Sequence, residues 1–212
     1  MIKIRKRPLP EGTKISKEED YRGGILFQML VEDCCGKCYI CEDSVHTAPN
    51  IEHRVSHRGN PSLKFDWNNL FLSCSHCNNT KSDRYDGIID PSKADPEQFI
   101  ELSLAFDEDL REIVIVRKIK GDRVIDTTVR LLYAVYNGYK TDIKKYASHQ
   151  LKNKISNELC WFQQKIEEFK LSPNDESKAM IERMVSDSSV FAAFKKGILK
   201  ADKTLSKAFG YS

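Results

Sequence analysis

The chain has 212 residues, 40% of them hydrophobic, which is enough to bury one sizeable core or two small ones. Lysine and arginine total 34 against 31 acidic residues, so the net charge of +3 does not by itself indicate a nucleic-acid partner. Neither a bilayer-spanning apolar run nor the apolar segment of a signal peptide is recognisable, and we expect a cytoplasmic protein with no membrane partner.

Residues 1–33 are predicted to form an exposed N-terminal arm followed by a helix. Four cations alternate partly with isoleucines in the first seven residues, and prolines end the run. A short edge strand or solvated tail is one interpretation of this run, and an arm that touches phosphate is another. Apolar residues at helical spacing predict a helix over residues 21–31, which we expect to pack against the segment that follows.

Four of the seven cysteines form two Cys-x-x-Cys pairs, Cys38/Cys41 and Cys74/Cys77. Four thiolates at this spacing fit one tetrahedral Zn²⁺, because each Cys-x-x-Cys turn places two sulfurs on one side of a tight backbone knuckle. Metal-type spacing in place of a scattered disulfide framework indicates a reducing compartment. An overlapping pair, Cys35/Cys38, is an alternative for the first half of the site.

The segment between the cysteine pairs predicts two strands and a helix. Residues 50–53 are expected to form the first strand, and residues 56–66 contain the turn formers of a loop. Residues 67–72 then return as the second strand or a connecting turn. Residues 77–84 place polar side chains on one face of a helix that would close the unit.

Within this segment, chemically active residues stand in a fixed order: Glu52-His53, Asn69-Leu70, Cys74-x-x-Cys77-Asn78 and Lys81. The order resembles that of the HNH endonucleases, which carry a ββα-metal fold often framed by a four-cysteine zinc site. The resemblance covers residues 38–81 and favours Cys38/Cys41 as the first zinc pair. It implies an α+β chain with a zinc-stapled HNH core over residues 34–92 and a mainly helical C-terminal region.

The resemblance also implies catalytic roles. His53 would be the general base, since an imidazole has an ordinary pKa of about 6.5. Glu52 and Asn78 would supply oxygen ligands to a catalytic Mg²⁺ or Mn²⁺ ion, and Asn69 would fasten the loop that orients His53. Without the motif, Asn69 reads equally well as a turn residue. Neighbouring strand residues face opposite sides, so Glu52 and His53 can serve one site only if the strand ends or kinks there, as we expect.

Four residues near this motif are candidates for nucleic-acid contact, namely His57, Arg58, Lys81 and Arg84. His57 could equally be a spare metal ligand or a polar loop residue, because the loop departs from the family pattern at Ser56. A structural zinc module that binds nucleic acid without cutting is the alternative for the whole segment.

Residues 93–212 predict a mainly helical region with a short β-hairpin. The hairpin is expected to turn at Gly121-Asp122, and Asn137-Gly138 is expected to break the helical run that follows it. A lysine-rich face marks the last predicted helix. The predicted elements are, in order, a helix over 96–106, a hairpin over 111–127, and helices over 128–136, 143–171, 175–185 and 188–209.

The overall layout is similar to small HNH proteins encoded beside an ATPase in bacterial anti-phage systems, the Septu nuclease subunit and its retron-associated relatives. The start Met-Ile-Lys-Ile, Ile51-Glu52-His53 and residues 66–70 carry this likeness. It implies DNA as substrate and an ATPase subunit as partner of the helical half. The alternative from another class is a zinc-stabilised adaptor that recruits DNA or an ATPase without catalysis.

Overall fold

The computed structural model describes residues 1–47, 49–138 and 140–211, and within these ranges it is a mixed α+β structure. Its strands form two antiparallel two-stranded sheets, β1 (Asn50–His53) with β2 (Leu70–Ser73) and β3 (Ile100–Phe106) with β4 (Glu112–Lys118). The helices are α1 (Glu18–Arg22), α2 (Gly24–Asp33), α3 (Pro61–Lys64), α4 (Ser75–Lys81), α5 (Arg123–Tyr136), α6 (Asp142–Leu171), α7 (Asp175–Met184), α8 (Ala192–Ala201) and α9 (Lys203–Ala208). In these described ranges, none of the helices combines the length and apolar character that crossing a bilayer requires.

Two strands lie between the cysteine pairs, and a helix that contains Cys77 follows them, all close to their predicted positions. In the β1–β2 pair, Ile51 lies opposite Leu72 and His53 opposite Leu70. All four residues of β2 are buried, which explains its continuous apolar sequence. A 3₁₀ turn (Trp67–Asn69) leads into β2, and α4 begins directly after Cys74. The local sequence patterns are therefore sufficient to predict β1, β2 and α4.

The first residues of the chain are packed, and the exposed arm predicted from their charge is wrong. Met1 and Ile4 are buried, and the backbone N–H of Ile4 donates to the Pro91 carbonyl at 2.8 Å. Burial of the isoleucines, and not the charge of the cations between them, therefore determines where this segment packs. The helix predicted over residues 21–31 is divided into α1 and α2, because Gly23 between them is extended and Gly24 adopts a φ of +59°.

The predictions for residues 96–127 are correct only for a helical turn at Pro96–Gln98 and for a strand of a hairpin at Glu112–Lys118; the rest is wrong. Residues 100–106 form β3 instead of a helix: Ile100 and Leu102 are buried, Ser103 is exposed, and the strand packs against α8. Because β4 pairs with β3, the hairpin turns at residues 107–111. Asp122 caps α5 by accepting a hydrogen bond from the Val124 backbone N–H at 2.9 Å.

The remaining helices follow the sequence more closely. A break at Asn137 separates α5 from α6, and α6 ends at Leu171 before the proline. The last predicted helix is two helices, because Asp202 ends α8 and caps α9 by accepting a hydrogen bond from the Thr204 N–H at 2.9 Å. A side chain that competes for backbone donors thus interrupts an otherwise helical run.

The main hydrophobic core crosses all three segments expected from the sequence, residues 1–33, 34–92 and 93–212. It joins Met1, Tyr39, Phe71, Leu131 and Phe194, among others. Smaller clusters fill the space between α2 and β2 and the space among α6, α7, α8 and α9. The zinc-type segment and the helical region therefore share one interior.

Hydrogen bonds also join the helical region to the two cysteine knuckles. The Tyr136 hydroxyl donates to the Cys41 carbonyl at 3.4 Å, and the Ala193 N–H donates to the Glu42 carboxylate at 3.1 Å. The His76 Nε2 lies 2.8 Å from the Val135 carbonyl. Contacts from α5 and from the start of α8 therefore hold one backbone carbonyl and two side chains of the cysteine knuckles.

Candidate functional site

The four predicted cysteines lie together and are positioned to hold a metal ion. Their sulfur atoms all lie within 4.8 Å of one another, and Cys41 Sγ is 3.9 Å from Cys74 Sγ. A Zn–S bond of about 2.3 Å in a tetrahedron gives sulfur separations of about 3.8 Å. The set fits Zn²⁺, and it contains the pair Cys38/Cys41, whereas Cys35 is exposed.

The backbone around the cysteines forms the turns that such a site needs. The Cys38 N–H donates to the Asp43 carbonyl at 2.9 Å, and the Cys77 N–H donates to Cys74 Sγ at 3.4 Å. Burial raises the pKa of Cys77 well above its usual value, so ionisation of all four thiols requires a compensating cation. A structural divalent metal supplies that charge.

His53 ends β1 and is half-buried. Its Nε2 lies 2.9 Å from the Lys64 carbonyl oxygen. Because a carbonyl only accepts hydrogen bonds, Nε2 carries the proton and Nδ1 is the basic nitrogen of the neutral ring. Burial lowers the pKa of His53, which keeps the ring neutral near pH 7. Its ring packs edge-on against His57 and Tyr21.

Glu52 is paired with Lys81 in the interior. The Glu52 Oε1 lies 2.7 Å from the Lys81 Nζ, which also donates to the His53 carbonyl at 2.9 Å. The side chain of Lys81 is 0% exposed and that of Glu52 7%. Burial raises the pKa of Glu52, and the Lys81 ammonium opposes that rise. Lys81 is therefore an interior partner of Glu52, and its predicted contact with nucleic acid is corrected.

β1 ends at His53 as expected, but the side chains of Glu52 and His53 leave it toward different neighbours, so the expectation that they face one site is not met by any contact between them. Glu52 meets α4 through Lys81, whereas His53 meets α1 and the end of α3. Asn78 is half-buried on α4, one turn before Lys81, so these two side chains share a helix face. Carboxylate and amide oxygens are the donor types that hard cations prefer, and Lys81 already neutralises the carboxylate.

Lys81→Met is expected to lower the free energy of unfolding by about 3–5 kcal/mol, because it leaves the Glu52 carboxylate buried without its partner. Urea denaturation measures the change, with the exposed Lys3→Met as the matched control. The double variant Glu52→Gln/Lys81→Met is expected to lose less than the sum of the single losses. Additive losses would contradict a direct pair.

The side chain of Asn69 fastens the loop that follows β1 by binding two points of its backbone. Its amide nitrogen donates to the carbonyls of Val55 and Leu63 at 2.8 and 3.0 Å, and its amide oxygen accepts from the Val55 N–H at 2.8 Å. Asn69 is buried. The carbonyl that holds His53 belongs to the residue after Leu63, so the same contacts support the position of His53.

Asn69→Ala is expected to lower the free energy of unfolding by about 2–4 kcal/mol, because three half-buried backbone groups lose their hydrogen bonds. The neighbouring Asn68 is exposed, and Asn68→Ala is expected to change stability by less than about 0.5 kcal/mol. Urea denaturation of the two variants distinguishes them. Equal stability of both would exclude a fastening role for the Asn69 amide.

The other predicted contact residues differ in their availability. The Arg58 guanidinium is bound to Asp86 at 3.2 Å, and the His57 Nδ1 accepts from the Gly59 N–H at 3.0 Å. Arg84 is exposed, and in the described ranges it has no acidic partner. Arg84 is thus the most available cation of the four.

Sequence reasoning missed two groups that shape this site. The Lys64 carbonyl sets which ring nitrogen of His53 carries the proton, and a backbone group leaves no signal in residue type. Tyr21 packs against His53 from α1, and its helical spacing indicated only that it belonged to a packed helix.

Comparisons of the chain with protein-family models, with curated proteins and with solved structures gave no match. The function proposed below therefore depends on the residues and on the geometry of the site.

Proposed function

We propose that the chain is an HNH-type, metal-dependent endonuclease that hydrolyses phosphodiester bonds of DNA. The observation that carries the proposal is the state of His53: its Nε2–H is held by the Lys64 carbonyl, and a basic Nδ1 remains on the neutral ring. His53 is the last residue of β1. This strand belongs to a hairpin-and-helix unit, β1, β2 and α4, framed by the four-cysteine cluster. The motif order from Glu52 to Lys81 gives the same assignment.

Hydrolysis of a phosphodiester needs a base for water and positive charge for the phosphate. Nδ1 of His53 accepts the proton of the attacking water, and Asn69 keeps the loop around His53 in place. Glu52 and Asn78 are the residues that would hold Mg²⁺ or Mn²⁺ through their oxygens, and such an ion would supply positive charge to the scissile phosphate. The Lys81 ammonium favours the ionised form of Glu52 but already binds one of its oxygens, so the cation would have to share the carboxylate with Lys81.

The proposal extends to the biological setting. The layout of a hairpin-and-helix unit joined to a helical region supports an effector of a bacterial anti-phage system with an ATPase partner. The helical half would then be the surface that meets the ATPase.

A zinc-stabilised, non-catalytic adaptor is the second candidate, and one observation favours it. Lys81 neutralises Glu52, the carboxylate assigned to the catalytic cation. An adaptor of this kind binds DNA or a partner and leaves the phosphodiester bonds intact.

The two candidates are separated by incubating supercoiled plasmid with the purified protein, with and without Mg²⁺ or Mn²⁺. The nuclease proposal expects open-circular and linear products that depend on the added metal. The adaptor proposal expects a shift in plasmid mobility and no change in topology under either metal. Bound plasmid that stays supercoiled in both metals would overturn the nuclease proposal.

A further inference from the structure

A cleft of about 340 Å³ lies between the C-terminal part of α4, α5 and the beginning of α6. Thr80 forms its wall on the α4 side, and α5 contributes both cationic and aromatic side chains. We call this the basic cleft. The residues used below to define it are Thr80, Arg84, Arg130, Tyr133, Lys140 and Lys144.

The four cations of the basic cleft have no acidic ion-pair partner among the residues that the structure describes. The lysines of α8 differ in this respect. Lys195 is paired with Glu158 at 2.6 Å, Lys196 with Glu97 at 2.8 Å, and Lys200 also with Glu97 at 3.3 Å. The α8 part of the lysine-rich face predicted from the sequence is therefore neutralised, whereas the positive charge of the cleft is not.

The cations of the cleft repel one another. Burial lowers the pKa of Lys144, and the nearby charges of Arg84 and Lys140 lower it further. A bound anion would relieve this repulsion. The cleft therefore has the electrostatics of a phosphate-binding surface, where several lysines and arginines share the charge of a nucleic-acid backbone.

An aromatic ring lies among these cations. Tyr133 is on α5 and is 44% exposed although it is a large, partly apolar side chain. Proteins that bind single-stranded nucleic acids combine an exposed aromatic ring, on which a base stacks, with cations that bind the phosphates.

The basic cleft adjoins the candidate active site through α4. Thr80 lines the cleft, and the next residue, Lys81, is bound to Glu52. Arg84 follows three residues later, where the chain leaves the helix. The basic cleft and the Glu52–Lys81 pair therefore share α4, so a strand lying in the cleft would lie against the helix that carries part of the candidate site.

We propose that the basic cleft binds the backbone of a single-stranded segment flanking the scissile phosphate, with a base stacked on Tyr133. This inference rests on the proposed nuclease function and adds the surface that positions its substrate. Arg130 and Lys144 bind phosphates, and they are binding residues without a part in the chemical step.

Binding of a fluorescein-labelled single-stranded DNA of about 20 nucleotides, followed by anisotropy without Mg²⁺ or Mn²⁺, tests the proposal. Arg130→Ala/Lys144→Ala is expected to weaken binding about tenfold and to reduce the slope of log K against log salt by about 1.4, or about 0.7 for each lost phosphate contact on a single strand. The matched control is Lys203→Ala/Lys207→Ala, which removes two exposed lysines of α9. The control is expected to bind within about twofold of wild type. Equal affinity of the two double variants would overturn the proposal.

Two further arms define the ligand. Tyr133→Ala is expected to weaken binding about tenfold, and Tyr133→Phe is expected to restore it, because stacking needs only the ring. Deoxyadenosine monophosphate that displaces the oligonucleotide at equal nucleotide concentration would show a mononucleotide site and overturn the strand proposal. Thermal unfolding of every variant verifies the fold.

The outcome is separable from that of the nuclease proposal. If the plasmid stays intact while the cleft variants lose DNA binding, the nuclease proposal fails and the cleft remains a DNA-binding surface. If the plasmid is cut and the cleft variants bind and cut as wild type, only the cleft proposal fails. With both correct, Arg130→Ala/Lys144→Ala raises KM and leaves kcat near the wild-type value.

Discussion

His53→Ala is expected to lower the rate of plasmid cleavage by about 10²- to 10⁴-fold, the usual contribution of a general base. The reason is the arrangement of the ring, in which the Lys64 carbonyl fixes the protonated nitrogen and leaves Nδ1 as the base. Cleavage is measured under single-turnover conditions with Mg²⁺ and with Mn²⁺, so that product release does not hide the chemical step.

The matched control is His149→Ala, which removes an exposed imidazole from α6. It is expected to cut at the wild-type rate. Zinc content and thermal unfolding of both variants show whether the fold is intact. Equal cutting by His53→Ala and wild type would remove His53 from the mechanism, whatever the metal.

Cys77→Ser is expected to release the zinc and to lower the unfolding temperature more than any single change proposed above. Cys77 is fully buried, and its sulfur lies within 4.8 Å of the three other thiols. Structural zinc contributes about 10–16 kcal/mol of apparent binding free energy in zinc-finger peptides. Loss of one ligand removes part of that stabilisation and leaves a polar group in an apolar interior.

Metal content by mass spectrometry is expected to show one zinc per chain in wild type and a clear deficit in Cys77→Ser. Cys160→Ser is the control, because Cys160 is an exposed thiol on α6 outside the cluster. It is expected to keep both its zinc and its unfolding temperature. A chain that holds no zinc after expression in zinc-supplemented medium would contradict the assignment of the cluster.

The cysteine cluster could be predicted because its signal is local. Two residues between cysteines suffice to place both sulfurs on one side of a turn, and the structure confirms that the four sulfurs meet. The mixed α+β class is confirmed for a similar reason, since strand and helix periods are visible in short windows. The roles of His53, Glu52 and Asn78 stay predictions.

The features that could not be predicted depend on contacts between residues that are distant in the sequence. Residues 100–106 read as a helix because a proline and acidic residues precede them, but α8 covers one face and β4 pairs with them. Lys81 reads as an exposed cation until Glu52 is seen beside it. The basic cleft has no sequence signature, since Arg84, Arg130 and Lys144 meet only when α4, α5 and α6 assemble.

The hydrogen bonds from Tyr136 to Cys41 and from Ala193 to Glu42 bear on how the protein can be controlled. A displacement of α5 or α8 also displaces the backbone that carries the metal ligands. Occupancy of the helical surface and the geometry of the hairpin would then be thermodynamically linked, and each would shift the equilibrium of the other to the same extent. Long-range control of this kind requires neither a hinge nor a separate regulatory domain.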